Sequence, residues 1–329
     1  MRTARSVRPA ASPAPSETPA PSAAPEASPA PSAAPGTSSA PTVVEQKTET
    51  TQNTDGSTTT TTTTLDSAGT KKTESETVRP DGTVEKSTET IKADGAIEKI
   101  TEKTNPDGST DKTTDITNSD GSTEKVTESV KPDGSSVIKT EAVSADGTTE
   151  KSTEKIKSNG SSEKVTDIEK ANGATIHEEV KTTAKGKETS QKIETSASGS
   201  VKITEQVKQP SGDHSKVVMN KTGKNSVAIK QAVTTAKNGK VTIPKTVKVN
   251  GKKLKVTALK KNFLKGSDSK PKEITINATD ITKIAKGAFN NIAKKATIGI
   301  KAGKKDFNRI QKLITDSGVS KDIKIKRVK

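Results

Sequence analysis

Glycine recurs at positions 56, 69, 82, 95, 108, 121, 134, 147, 160, 173, 186, 199 and 212, a period of 13 residues without a break. The residue before it is Asp at 55, 81, 94, 107, 120, 133 and 146, and Asn at 159 and 172. Asp-Gly and Asn-Gly are tight-turn dipeptides, because glycine enters positive φ without steric cost. Between the turns lie Thr- and Val-rich stretches of about nine residues, the pattern of a β-meander. Three of the turns read Pro-Asp-Gly (80–82, 106–108 and 132–134). That order fits a three-residue loop in which proline opens a type I turn and glycine is left-handed.

The loop length predicts the strand register. Counting each unit from its glycine as zero, position +10 faces +1 of the next unit, and facing positions sum to 11. Position +7 is acidic in eight consecutive units, from Glu76 to Asp167, and it then falls opposite position +4. The expected pairs are Glu76 with Lys86, Glu89 with Lys99, Glu102 with Lys112, Asp115 with Lys125, Glu141 with Lys151 and Glu154 with Lys164. Position +8 meets +3, which pairs Lys103 with Asp111, Lys155 with Glu163 and Ile168 with Ile176. A two-residue turn would align Thr with Thr at +6 and disperse the charge pairs.

Neither face of such a sheet carries an apolar stripe. The expectation is therefore a single layer wetted on both sides, held by ladder hydrogen bonds and cross-strand pairs worth about 0.2–1 kcal/mol each, less where exposed. A disordered charged chain and a coiled β-solenoid are the competing readings of this segment. In its charge-paired strands and frequent glycine turns it resembles, in style alone, the single-layer sheet of spirochaete outer-surface lipoproteins. That resemblance gives no residue a role.

Composition confines a conventional core to the other end of the chain. Hydrophobic residues make up 26% of the 329, and the only aromatics are Phe263, Phe289 and Phe307. With no cysteine there is no disulfide, thiolate metal site or cysteine nucleophile. No run of about 18 apolar residues is present, so no membrane-spanning helix is expected. Met1-Arg-Thr-Ala-Arg-Ser-Val-Arg8 has the charge of a signal peptide's first region but no apolar stretch behind it. Either the protein stays inside the cell or its N-terminus is incomplete.

The expected fold class is mainly β: a disordered N-terminus, a long antiparallel meander, and a small α+β C-terminal domain. The expected divisions are a Pro/Ala/Ser-rich linker over 1–44, the repeat array over 45–212, a transition over 213–237 and a basic domain over 238–329. Pro19-Ala-Pro-Ser-Ala-Ala-Pro25 recurs as Pro29-Ala-Pro-Ser-Ala-Ala-Pro35 in the linker, which has little to bury and reads as an extended spacer. Charge divides in the same way. From Asp213 onward there are 30 Lys+Arg against 7 Asp+Glu; before it there are 26 against 33.

In the basic segment, Val241–Val249 and Leu254–Val256 flank Asn250-Gly251 as a hairpin, and Ile274–Ile276, Ala296–Ile300 and Ile323–Ile325 alternate as short strands. Phe307, Ile310, Leu313 and Ile314 fall at helical spacing, with Gly318 as a stop. The unit Ile274-Thr-Ile276, Ile281-Thr-Lys-Ile284 and Gly287-Ala-Phe-Asn290 resembles the BspA-type bacterial leucine-rich repeat, and Val241-Thr-Ile-Pro244, Val256–Leu259 and Phe263-Leu264 resemble a degenerate preceding unit. The resemblance covers about 238–329. It implies display at a bacterial surface, with adhesion to a host ligand or association with the cell wall.

Candidates for catalysis are few. His177 and His214 are the only histidines, far apart in polar sequence, and His177 occupies the lysine position opposite Asp167. No serine sits in a Gly-x-Ser-x-Gly elbow, and no phosphate-cradling loop is present. The repeated Asp-Gly turns each supply one carboxylate, and successive turns lie at opposite edges of a meander, so they do not assemble a calcium cage. No catalytic residue, cofactor or metal ligand is therefore assigned. The remaining hint is charge: Lys252, Lys253 and Lys255; Lys301, Lys304 and Lys305; and Lys324, Lys326, Arg327 and Lys329 form three clusters suited to a polyanion. Teichoic acid is the nearest such polymer on a Gram-positive wall. Nucleic acid competes with it, although no aromatic platform accompanies the lysines. The expected function is a non-enzymatic surface protein with a stalk and a basic module. An intracellular nucleic-acid-binding protein and the C-terminal part of a larger secreted enzyme are the alternatives.

Overall fold

The computed structural model describes residues 40–235, 239–267 and 269–328. The linker as far as residue 39, the 237/238 boundary and Lys329 lie outside the described residues. The meander begins with β1 (Val43–Gln52), β2 (Thr58–Asp66), β3 (Lys71–Val78), β4 (Val84–Ile91), β5 (Ile97–Thr104), β6 (Thr110–Thr117), β7 (Thr123–Val130) and β8 (Ser136–Val143). It continues with β9 (Thr149–Ile156), β10 (Ser162–Glu169), β11 (Thr175–Thr182), β12 (Glu188–Thr195), β13 (Val201–Lys208), β14 (His214–Gly223) and β15 (Ser226–Thr234). Each strand pairs antiparallel with the next, in one sheet. The last two strands occupy residues read from sequence as a transition.

The hairpins follow one plan. At residues 80–82, Arg79 N–H donates to Thr83 C=O at 2.9 Å and Gly82 N–H donates to Arg79 C=O at 3.0 Å. Asp81 Oδ1 accepts the Thr83 N–H at 2.8 Å, which closes the turn from the side-chain side. From Gly56 to Gly212 the turn glycines hold φ between 77° and 87°, the left-handed region. This is the expected three-residue loop, and all of the expected facing pairs are present.

Because side chains alternate, the pairs align into one transverse ladder on each face. One runs Glu76, Lys86, Glu102, Lys112, Glu128 across β3–β7. The other runs Glu89, Lys99, Asp115, Lys125, Glu141, Lys151, Asp167, His177 across β4–β11. It continues as Ile193, Ile203, Met219, Ile229 across β12–β15. The charges lie in water, whereas Ile203, Met219 and Ile229 are fully buried. At β12 the sheet changes from a wetted layer to one wall of a core.

The rest of the core comes from the C-terminal elements: β16 (Lys240–Ile243), β17 (Thr246–Val249), β18 (Lys252–Leu259), β19 (Glu273–Ile276), β20 (Lys283–Ile284), β21 (Thr297–Lys301), α1 (Lys304–Asp316) and β22 (Lys324–Val328). The run Val241–Val249, expected as one arm of a hairpin, divides at Pro244. Only β17 pairs antiparallel with β18 around Asn250-Gly251, while β16 pairs parallel with β19. Proline lacks the N–H needed to carry a ladder onward, so the chain changes sheets there.

β18 joins the large sheet by parallel pairing with β15 and with β20. β16, β19, β21 and β22 form a second, wholly parallel sheet. It buries Val241, Ile243, Ile274, Ile276, Ile298 and Ile300 against the core. Phe263 and Phe289 meet edge to face, 5.4 Å between centroids, and α1 adds Ile310 and Ile314. Arg309 donates to the C=O groups of Ile281 and Thr279, fastening α1 to the segment before β20. No helix among the described residues is long and apolar enough to cross a membrane.

Candidate polyanion-binding surface

The basic clusters stand on strands whose alternation turns apolar residues inward and lysines outward. On β18, Leu254 and Val256 are buried while Lys253 and Lys255 are exposed. Lys253 directly faces Lys248 of β17, a like-charge pair that only solvent or an anion screens. Lys255 is compensated, its Nζ 2.9 Å from Asp280 Oδ1. Lys252 follows the Asn250-Gly251 turn, where φ is 48° and 78°.

The second and third clusters come together. Parallel pairing of β21 with β22 sets Lys301 beside Val328, Gly299 beside Lys326 and Ile300 beside Arg327. Lys304 and Lys305 begin α1, whose N-cap, Gly303, makes no side-chain capping bond. Two positive charges there oppose the positive end of the helix dipole. Among the described residues, Lys301, Lys304, Lys305, Lys324, Lys326 and Arg327 have no ion-pair partner. In the meander several lysines are matched, with Lys112 2.7 Å from Glu102, Lys125 2.9 Å from Asp115 and Lys202 2.6 Å from Glu194, while others such as Lys99 and Lys164 face a carboxylate across the strands without closing an ion pair. Lys252, Lys253 and Lys255 lie in the other sheet, so the three clusters do not merge into one patch of adjacent strands.

Sequence reading overlooked Lys248, which the hairpin places against Lys253, and Lys240, in the same outer row of the parallel sheet as Lys324 but compensated there by Glu273, 3.1 Å away. The period-2 alternation on either side of Asn250-Gly251 carried the signal for Lys248. Nothing local marked Lys240, because its row exists only once distant strands stack.

The histidines sit in the meander. His177 Nδ1 is 2.6 Å from Asp167 Oδ1 across the β10–β11 pair, and Nε2 is 3.5 Å from Glu179 Oε1. The bond to Asp167 holds the imidazole above its usual range, against partial burial and with help from Glu179. Nearby, Glu205 accepts a bond from Gln191 Nε2 at 3.0 Å in a shallow cleft of about 240 Å³, and burial raises its pKa. Among the described residues no group of three or more His, Cys, Asp or Glu is placed to hold a metal ion. Each turn aspartate spends an oxygen on its own loop, as Asp107 Oδ1 does by accepting from the N–H and hydroxyl of Ser109 at 2.9 and 2.6 Å.

Comparison with family models gives no match for this chain, and comparisons with curated proteins and with solved structures likewise give none.

Proposed function

We propose that this chain is a non-enzymatic structural protein of a bacterial surface, in which the meander is a stalk and the C-terminal module associates with an anionic polymer of the wall. One contrast carries the reading: the repeats set lysines opposite carboxylates across their strands, whereas among the described residues the six cationic side chains of the β21, α1 and β22 cluster have no ion-pair partner. Uncompensated exposed cations attract polyanions with an affinity that salt weakens. The matched charges of the stalk favour solubility without competing for that ligand.

The parallel stacking of β16, β19, β21 and β22 supports the likeness to BspA-type leucine-rich repeats. Their first residues, Lys240, Glu273, Thr297 and Lys324, are 33, 24 and 27 residues apart, so the last two intervals fall within the roughly 20–29 residues of such units and the first exceeds it. The likeness in turn favours surface display over an intracellular role.

The test is retention of the full chain on purified Gram-positive walls with and without teichoic acid, and on double-stranded DNA, at low and physiological salt. The expected outcome is strong retention by intact walls, loss on stripping, and weakening with salt. Reversal of Lys301, Lys304, Lys324 and Lys326 to Glu should abolish it. Equal retention by stripped and intact walls would refute the polyanion reading, and tight DNA binding at physiological salt would move the protein to the nucleic-acid-binding class.

A further inference from the structure

Every strand from β2 to β14 is paired along both edges, but among the described residues β1 pairs with β2 alone. Its side chains are exposed throughout, including Val43 and Val44 at 60% each. An edge of this length is a template for another strand unless its charges repel one. The charges of β1 are Glu45, Lys47 and Glu49, and their spacing makes the strand complementary to itself.

We propose that the outer edge of β1 is a self-association surface, on which a second copy of this chain pairs antiparallel about a two-fold axis through Thr48, joining two meanders into one continuous sheet. The backbone phase permits this register. Asn53 N–H donates to Ser57 C=O in the first hairpin, so the alternation of an antiparallel ladder gives β2 the backbone groups of Thr51, Glu49 and Lys47. Those of Gln46, Thr48 and Thr50 point to the open side. An axis at Thr48 sets Thr48 against its own copy as a hydrogen-bonded pair and Gln46 against Thr50.

The close, non-hydrogen-bonded positions between them then hold Lys47 against Glu49 and Glu49 against Lys47. A two-fold axis normal to the sheet keeps each face on its own side. Lys47 and Glu49 share a face, with Lys47 Nζ 2.5 Å from Glu49 Oε1 within the strand, so the cross-copy pairs form by exchanging partners. Sliding the axis to Lys47 or to Glu49 puts like charges face to face. Moving it to Gln46 restores a Lys47 to Glu45 pair but shortens the overlap. Opposite charges facing across neighbouring strands are also what the meander uses at the pairs from β3–β4 to β12–β13.

A two-fold contact closes on itself, so the expected species is a dimer and nothing larger. Sedimentation equilibrium of the full chain over a wide concentration range reads this directly. Because the chain has no cysteine, Thr48→Cys is a specific reporter: facing Cα atoms of a hydrogen-bonded pair stand about 5.5 Å apart, within disulfide range. Lys47→Cys, diagonal to its own copy, should cross-link far more slowly. Lys47→Glu should weaken the dimer roughly tenfold or more, and the double exchange Lys47→Glu with Glu49→Lys should restore it. These positions are exposed, and circular dichroism checks that the fold is unchanged. A monomer at every concentration, oligomers beyond the dimer, no effect of Lys47→Glu, or equal linking of the two cysteine variants would each overturn the proposal.

Discussion

Replacing Gly134 by alanine isolates the backbone contribution of a turn. Gly134 stands at φ 77°, and a Cβ built there meets nothing within 4 Å, so no side chain has to move. What remains is the cost of a left-handed L-residue, about 1–2 kcal/mol. Gly287 would confound the measurement, since a Cβ there meets Asn290 Nδ2 at 2.8 Å. A single global midpoint is a poor readout for an array whose units contact only their neighbours. Amide hydrogen exchange is better, followed at the two turn bonds, Lys131 N–H to Ser135 C=O at 2.8 Å and Gly134 N–H to Lys131 C=O at 2.9 Å. A loss of 1–2 kcal/mol opens these bonds about five- to thirtyfold more often. Gly134→Asn should recover much of the protection, because Asn tolerates the left-handed region. Unchanged exchange in Gly134→Ala, or equal effects of Ala and Asn, would refute the assignment of the glycine period to positive φ.

Other outcomes follow from the ladders and the core. Ile203→Ala, at a fully buried position, should lower the unfolding free energy by about 2–5 kcal/mol in a denaturant titration; a loss below about 1 kcal/mol would mean that the core does not extend onto β13. Lys112→Glu places a third carboxylate between Glu102 and Glu128 and should destabilise β5–β7 at low salt, with recovery as salt is added; a salt-independent effect would exclude charge as the cause. The imidazole of His177 is held up chiefly by Asp167. Its stabilisation is therefore complete below the ordinary histidine value of about 6.5 and lost as pH rises through the raised folded value. His177→Lys should remove that pH dependence, worth less than about 1 kcal/mol in an exposed pair, and an identical pH slope in the variant would contradict it. The turn aspartates behave oppositely: at Asp133 the bonds from Ser135 hold the carboxyl below its usual range, so its contribution is present above about 3.9 and lost as pH falls through the lowered value. Asp133→Asn keeps the acceptor, as Asn159 does in its own turn, and should make that hairpin less acid-sensitive by circular dichroism and hydrogen exchange.

The register was legible because loop chemistry and charge pattern point to the same answer. Pro80-Asp-Gly82 specifies a loop length, the loop length specifies the facing positions, and Glu76 with Lys86 rewards the result. β14 and β15 were less legible because the glycine period stops at Gly212 and their pairing is irregular near Met219 and Gly223. Parallel pairing of β15 with β18, and of β16 with β19, joins residues far apart in the chain without a local turn signal. The same limit applies to the candidate surface. Three lysine clusters are visible as composition, but only stacking of β21 on β22 decides which two adjoin.

The two transverse ladders also give the array a parity. In a meander, adding one 13-residue unit reverses the direction of every strand after it and exchanges their faces. The apolar end of the ladder, Ile193, Ile203, Met219 and Ile229, would then lie on the opposite side relative to Glu89 and Lys99, and the C-terminal module with it. Adding two units restores both direction and side and advances the sheet by about 10 Å. Repeat number is therefore a rotational setting as well as a length. Gain or loss of units in pairs preserves the orientation of the basic surface, and an odd change turns it over.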